Sequence, residues 1–457
     1  MSLASNHLQT LKPTFTQTLA GRCADFSPTA DDLIKAKLCI IDFLSCALTG
    51  GQLPWSEQAK ELAEHAGGSS CSVIGSSIRA TAGDAAFANA VLGHSLVRDD
   101  MHLGSVSHLG TVIIPTLLAL SQTQPVSGYD FLRALAVGYE AGGTLGRAVL
   151  DVEVSKIFRP TGITGPVAAA AAGAVLLHLN AEQTTHALGI ASNTAAGYNE
   201  WAATGGSEMF FHAGFAARSA LTALALGKSG ASASLTAVDG RAGLLAAFNK
   251  LANSHAAAEP LETSEIQAVF FKEVPACNFA QSAAQAAHAL AVTHAPKFED
   301  IASVTAHINY ASAHYPGCDN PGPLDSILQA KMSIQYNVAA ALLTGDFSEP
   351  NYVPSQQGQI SQLAQKVRLS IDPRLTARFP AQQSARVEIS LANGRTLAHA
   401  MDDVRGASEE LVRKRFSSAA SAALNGAKAE RLLELVANFE QSKAAGALAD
   451  LCATSHE

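Results

Sequence analysis

What most constrains the fold of this chain is the run of apolar, alanine- and glycine-rich segments of helical length that fills roughly its first 250 residues. Thr29-Ala-Asp-Asp32 carries an N-cap and acidic residues where a helix dipole favours them. Leu33, Ile34, Ile40, Ile41 and Leu44 follow, and Gly50-Gly51 ends the segment. Similar stretches run over Gly83–Val97, Thr111–Gln122, Tyr129–Val149, Pro166–His178, Ala181–Ser192, Glu208–Leu226 and Arg241–Leu251. Their small residues let helices approach closely, which suits a tightly packed bundle.

Composition agrees. The chain is 48% hydrophobic and only 15% charged, against roughly 25% charged in ordinary soluble domains. A large core is available, and part of the surface is expected to be covered by a second subunit. The formal charge of −8, with no cluster of Lys or Arg, removes the electrostatic basis for nucleic-acid binding. Seven cysteines form no CxxC pair, which points to reduced thiols and a cytoplasmic setting. Met1 to Phe15 is polar and reads as no signal segment. The most lipid-like stretch, Gly165 to Leu177, is too short for a bilayer, which needs roughly 20 residues. No membrane partner is expected.

The texture changes near Pro260. Short runs rich in β-branched and aromatic residues occur at Ala268–Val274, Val304–Tyr310, Val367–Ile371 and Ala385–Leu391. Asn393-Gly394, before Arg395–Ala400, is the strongest hairpin signal in the chain. Helices are expected over Asn278–His294 and Ser326–Leu343, and after Asp403 the chain returns to Ala/Leu helices up to Ala453. The expected fold is therefore mainly α. A helical domain comprises residues 1–260 and 404–457, and a smaller α+β lid domain, residues 261–403, is inserted in it.

The densest polar cluster runs from His94 through Arg98, Asp99, Asp100 and His102 to His108, between two apolar helices. Imidazole, carboxylate and guanidinium this close can supply acid–base chemistry and anion binding, or simply cap and tie a loop. No ligand spacing here is diagnostic of a metal, and neither metal nor cofactor is expected. Phe158-Arg159-Pro160 leads into a helix and could offer Arg159 and backbone N–H groups to an anion. Gly142-Gly-Thr-Leu-Gly146 lies inside a helical run, so it is not a dinucleotide fingerprint. Lys272, Cys277 and Gln281 open the α+β part, and Tyr336 lies on its second helix; each alone reads as structural more readily than catalytic.

Taken together, these segments resemble the MmgE/PrpD family, which includes 2-methylcitrate dehydratase, cis-aconitate decarboxylase and iminodisuccinate epimerase. The resemblance is carried by Ala85-Ala-Phe-Ala-Asn-Ala-Val-Leu-Gly-His94 with the Asp99-Asp100 pair, by His108-Leu-Gly-Thr-Val-Ile-Ile-Pro115, and by Gly138-Tyr-Glu140. Further along it rests on Pro160-Thr-Gly-Ile-Thr-Gly165, His212-Ala-Gly-Phe-Ala-Ala-Arg218, Lys272-Glu-Val-Pro-Ala-Cys277 and Lys331-Met-Ser-Ile-Gln-Tyr336. It implies the helical domain with its inserted lid, and a homodimer. Carried over by position, it implies His108, Lys272, Tyr336 and possible use of His102 as catalytic groups. Arg159, Arg98, Asp99, Asp100, His212 and Gln281 are implied to bind substrate. Four family positions are altered: an aspartate is Val97, a histidine is Arg159, a lysine is Met209 and another histidine is Gln281.

These changes matter chemically. Val97 and Met209 carry no charge, Gln281 cannot shuttle a proton, and Arg159 cannot act as a base but can clamp a carboxylate. The expectation is a cofactor-independent lyase or isomerase that removes a proton next to a carboxylate of a small di- or tricarboxylic acid. The alternative is a non-catalytic carboxylate-binding or structural member of the family.

Overall fold

The computed structural model describes residues 12–254, 259, 261–355 and 358–454, so the boundary expected at residue 260 lies outside the described residues. The chain is mainly helical with a small mixed sheet. The helices that position the site are, in chain order, α1 (Ala30–Thr49), α2 (Ala82–His94), α3 (Gly110–Thr123), α4 (Gly128–Val149), α5 (Pro160–Leu176), α6 (Glu208–Lys228), α7 (Gln281–His294), α8 (Ile334–Thr344) and α9 (Glu409–Ala423).

Local chemistry sets their ends. The Thr29 hydroxyl accepts from Asp32 N–H while the Asp32 carboxylate accepts from Thr29 N–H, the reciprocal cap anticipated at the start of α1. Pro160 occupies the first turn of α5, where its missing N–H has no intrahelical partner to lose. α3 and α5 are buried on nearly every face. Their small residues admit neighbours: a Cβ on Gly142 of α4 would lie 2.7 Å from the Leu109 side chain. α5 packs against α3, α4 and α6, while α2 packs against α3 and α6. α6, rather than the 165–177 stretch, is long and apolar enough to cross a membrane by composition, but it packs on α2, α3 and α5 as a core helix. Arg241–Leu251 holds only the short helix Leu244–Ala247, with one 3-10 turn beginning at Leu251.

Strand β1 (Met101–His102) pairs antiparallel with β2 (Val269–Phe270), so the polar loop after α2 is stitched to the segment that carries Lys272. The main sheet contains β3 (Ile301–Ile308), β4 (Val367–Ile371), β5 (Ala385–Leu391) and β6 (Thr396–Met401), in the order β4-β3-β5-β6. Only the β3–β4 pair is parallel. Gly394, with φ of +82°, makes the β5–β6 turn that Asn-Gly announces. α7 lies on this sheet and α8 on α7. Instead of one helix over Ser326–Leu343 there are two, Ile327–Met332 and α8, because Ser333 is extended and caps α8 through its hydroxyl. After the sheet, α9 returns to lie along α1.

Candidate active site

The loop between α2 and α3 is built around two strained valines. Val97 (φ +57°) and Val106 (φ +47°) are left-handed, a conformation that a β-branched side chain adopts only when its surroundings hold it there. What holds Val97 is a pair of buried lysines. Lys272 Nζ donates to Val97 O at 2.9 Å and to Ala276 O at 3.1 Å. Lys331 Nζ donates to Leu96 O at 2.8 Å and Pro275 O at 3.0 Å, and it pairs with Glu349. Lys331, which heads the Lys331–Tyr336 segment, is thus a positioning group.

A chain of hydrogen bonds fixes the protonation of the imidazoles. A guanidinium only donates, so Arg159 Nη2, 3.0 Å from His94 Nε2, makes that nitrogen an acceptor. The His94 proton therefore sits on Nδ1 and is donated to Asp99 Oδ2 at 2.9 Å. A carbonyl only accepts, so His108 Nδ1, 2.9 Å from Asp100 O and 3.2 Å from Asp99 Oδ2, must carry its proton. His108 Nε2 is left with a free lone pair. Burial pushes the His108 pKa down, with the Asp99 charge opposing and the Lys272 charge adding, to about 3. Burial also lowers His94. Burial alone would raise Asp99, but the two imidazoles beside it outweigh that and hold it well below the usual carboxylate range. At neutral pH the group is thus a carboxylate receiving two neutral imidazole N–H donors.

His108, Arg159, Met209, Lys272, Cys277, Phe279 and Tyr315 line one narrow cavity of about 20 Å³, room for about one water. Val97 and Met209 also face it as apolar wall, and Met209 Sδ lies 3.0 Å from His94 Nε2. Arg159 Nη1 donates to the Tyr315 hydroxyl at 3.2 Å, the guanidinium lies over the Trp201 ring at 5.8 Å, and its Nε is buried without a partner. Such an unpaired donor is what an incoming carboxylate would satisfy. Burial lowers Lys272 to about 8 despite the opposing Asp99 charge. Cys277, whose Sγ is 3.6 Å from Cys318 Sγ, falls to about 7, because the Cys318 thiol and then Lys272 stabilise its thiolate against burial.

Of the residues implied by sequence, His108, Lys272 and Arg159 converge on this cavity. The others do not line it, and their partners explain why. His102 caps the 3-10 turn after it by accepting from Ser105 N–H at 3.1 Å and donates from Nε2 to Glu265 at 3.1 Å, in a separate cluster with Arg147. Tyr336 packs beside Tyr352 and donates its hydroxyl to Asn351 O at 2.9 Å; Tyr315 is the tyrosine at the cavity. Arg98 donates to Ser45 on α1 at 2.8 Å. Gln281 bonds both polar groups of Val274, at 3.1 and 2.8 Å, and so shapes the loop that presents Cys277. Asp99 orients the two histidines. Asp100 holds His108 through its main-chain carbonyl, while its carboxyl, raised to about 8 by burial, meets the Tyr139 hydroxyl. Gly110 is required here, since a Cβ would stand 2.5 Å from that hydroxyl. His212 stands against Gly197, its Nδ1 buried without a partner, and burial and the Arg159 charge lower it to about 4.

His94, Cys277 and Tyr315 are site residues that the sequence did not assign. His94 was visible within the polar cluster, Cys277 within the Lys272 segment, and Tyr315 carried no signal. Among the described residues, His94, Asp99 and His108 bring ligand atoms within 4.8 Å of one another and could hold a metal ion. The proton that the Asp100 carbonyl requires on His108 Nδ1 would have to leave first.

A mainly helical chain, stitched to a small mixed sheet around a buried imidazole–carboxylate–guanidinium cluster, is the class that this fold and site define. The signature of the MmgE/PrpD N-terminal domain matches residues 21–256 and that of the MmgE/PrpD C-terminal domain residues 274–441, so the chain belongs to the MmgE/PrpD family. It is 26% identical to cis-aconitate decarboxylase of Aspergillus terreus over 419 residues, 85% of this chain and 84% of that one. It is 27% identical to human cis-aconitate decarboxylase over 381 residues, 78% of this chain and 76% of that one. It is 36% identical to the cis-aconitate decarboxylase-like protein oryM of Aspergillus oryzae, but over 210 residues, 44% of this chain and 43% of that relative's length.

Proposed function

We propose that the chain is a cofactor-independent lyase that removes a proton next to a carboxylate of a small carboxylic acid. The observation that carries this reading is the free lone pair on His108 Nε2, facing a cavity that also holds an unpaired Arg159 donor. Arg159 would receive the carboxylate. His108 would take the adjacent proton, with the negative charge of the bound carboxylate joining Asp99 against the burial that holds its pKa near 3 in the empty site. The charge that builds on the carboxylate would be stabilised by Arg159 and by protonated Lys272. Lys272, near 8, or Cys277, near 7, has a pKa suited to returning a proton or assisting a leaving group at neutral pH. From the deprotonated carbon, loss of hydroxide would make the reaction a dehydration and return of the proton to the opposite face an epimerisation. In a decarboxylation carbon dioxide would leave in place of the proton, and the carbon it leaves would then take up a proton. The decarboxylase names of the relatives favour a lyase.

In this reading residues 261–403 form a lid that closes over the site, supported by cavity walls drawn from both parts of the chain, Val97 to Met209 on one side and Lys272 to Met332 on the other. All seven cysteines are buried and unpaired, which supports a reducing, cytoplasmic setting. A second reading, a non-catalytic carboxylate binder, is favoured by the apolar Val97 and Met209 walls. Incubation with hydroxy- and unsaturated di- and tricarboxylates in deuterated buffer separates the two. Deuterium incorporation or turnover is expected for the lyase, whereas binding without either would establish the binder.

A further inference from the structure

Beside the catalytic cavity lies a second one of about 320 Å³, within the roughly 300–1,000 Å³ range of small-ligand pockets. Val106, Phe279 and Tyr315 line both, so these side chains form a shared wall between the two volumes. The walls of the larger one are mostly apolar, with Leu103, Leu150, Val152 and Ala311 among them. Among the described residues no lysine or arginine lines it. The charged residue among its described walls, Asp151, accepts from Val154 N–H at 2.9 Å and pairs with Lys250. In the catalytic cavity the lining cations are Arg159 and Lys272, and Lys272 already donates to two carbonyls.

We propose that the substrate carries an uncharged apolar arm that lies in this second cavity while its carboxylate end sits at Arg159 and His108. This rests on the carboxylate reading above and adds the substrate class: an alkyl- or aryl-substituted acid rather than a compact tricarboxylate. The catalytic cavity as it stands admits about one water. A substrate must therefore displace part of the wall, and displacing Val106, Phe279 or Tyr315 would join the site to the apolar volume. A further carboxylate placed there would meet hydrocarbon and Asp151, and burying a charge without a partner is strongly unfavourable. An apolar arm would instead gain free energy with each methylene withdrawn from water.

The test is titration calorimetry of the full-length chain with succinate, 2-methylsuccinate, 2-butylsuccinate, 2-hexylsuccinate and propane-1,2,3-tricarboxylate. Affinity is expected to rise about fourfold per added methylene until the arm fills the cavity, with the tricarboxylate no tighter than succinate. Ala311→Leu, which fills the second cavity, should remove the gain of the butyl compound and leave succinate binding unchanged. Val152→Phe, on another wall, serves the same purpose if Ala311→Leu lowers the melting temperature. Measurable binding that is flat across the series, or tighter for the tricarboxylate than for butylsuccinate, overturns the arm and leaves the carboxylate site standing. No binding by any of the acids overturns both.

Discussion

Replacing Lys272 by methionine should abolish activity while leaving stability nearly unchanged, and the structure gives the reason. The side chain is fully buried and its pKa falls from 10.5 to about 8. The folded protein therefore binds this proton more weakly than the unfolded chain does. The contribution grows with pH between about 8 and 10.5, and below pH 8 holding the ammonium charged costs about 3 kcal/mol. Methionine removes that cost but orphans the carbonyls of Val97 and Ala276, at about 1–3 kcal/mol each. The two effects nearly cancel, so calorimetry at pH 7 should find a melting temperature within a few degrees of the parent. Exchange or turnover on the acid identified by the deuterium screen should fall below about 1% of the parent, because a protonated amine near the developing charge is worth several kcal/mol. In the parent, the rate should decline with a midpoint near pH 8 as this proton leaves. A collapse in stability would make Lys272 a structural strut, and retained turnover would remove it from the chemistry; either refutes the reasoning.

Asp99→Asn should lower kcat roughly 10–150-fold, the equivalent of about 1.5–3 kcal/mol for a lost hydrogen bond to a charged group. The Asp100 carbonyl should keep His108 in the same tautomer, which nitrogen-15 NMR would verify. Arg159→Lys should raise KM about 30-fold, since an ammonium cannot reproduce the two-pronged contact worth about 2 kcal/mol, and steady-state kinetics would show it. Sedimentation equilibrium at micromolar concentration should give about twice the 47.2 kDa chain mass, as expected for the proposed homodimer; a clean monomer would contradict it.

Fold class was legible because it rests on local signals. The Thr29–Asp32 cap, the alanine- and glycine-rich stripes and the Asn393-Gly394 turn each act within a few residues of themselves. His108 and Arg159 were legible too, standing at helix starts where the family resemblance placed them. Elsewhere the environment of a side chain is set by packing that local patterning does not encode. Arg98 reaches back to Ser45, and His102 is committed to Glu265, 163 positions away. Lys272 owes its depressed pKa to burial, and one of its anchors is a carbonyl 175 positions away. Tyr336 lies on α8 and Tyr315 just past the short helix Tyr310–His314, and only packing decides which hydroxyl reaches Arg159. Gln281 sits at a family site position, yet it is turned onto the backbone of its own loop.

The account stands on His108 Nε2 being the atom that accepts the substrate proton. Its most direct test compares parent and His108→Ala for deuterium incorporation into the same acid, read by mass spectrometry, with circular dichroism as the check on folding. Exchange in the parent that falls to the solvent background in a folded alanine variant is the predicted result. A folded His108→Ala protein that exchanges at the parental rate would contradict the claim.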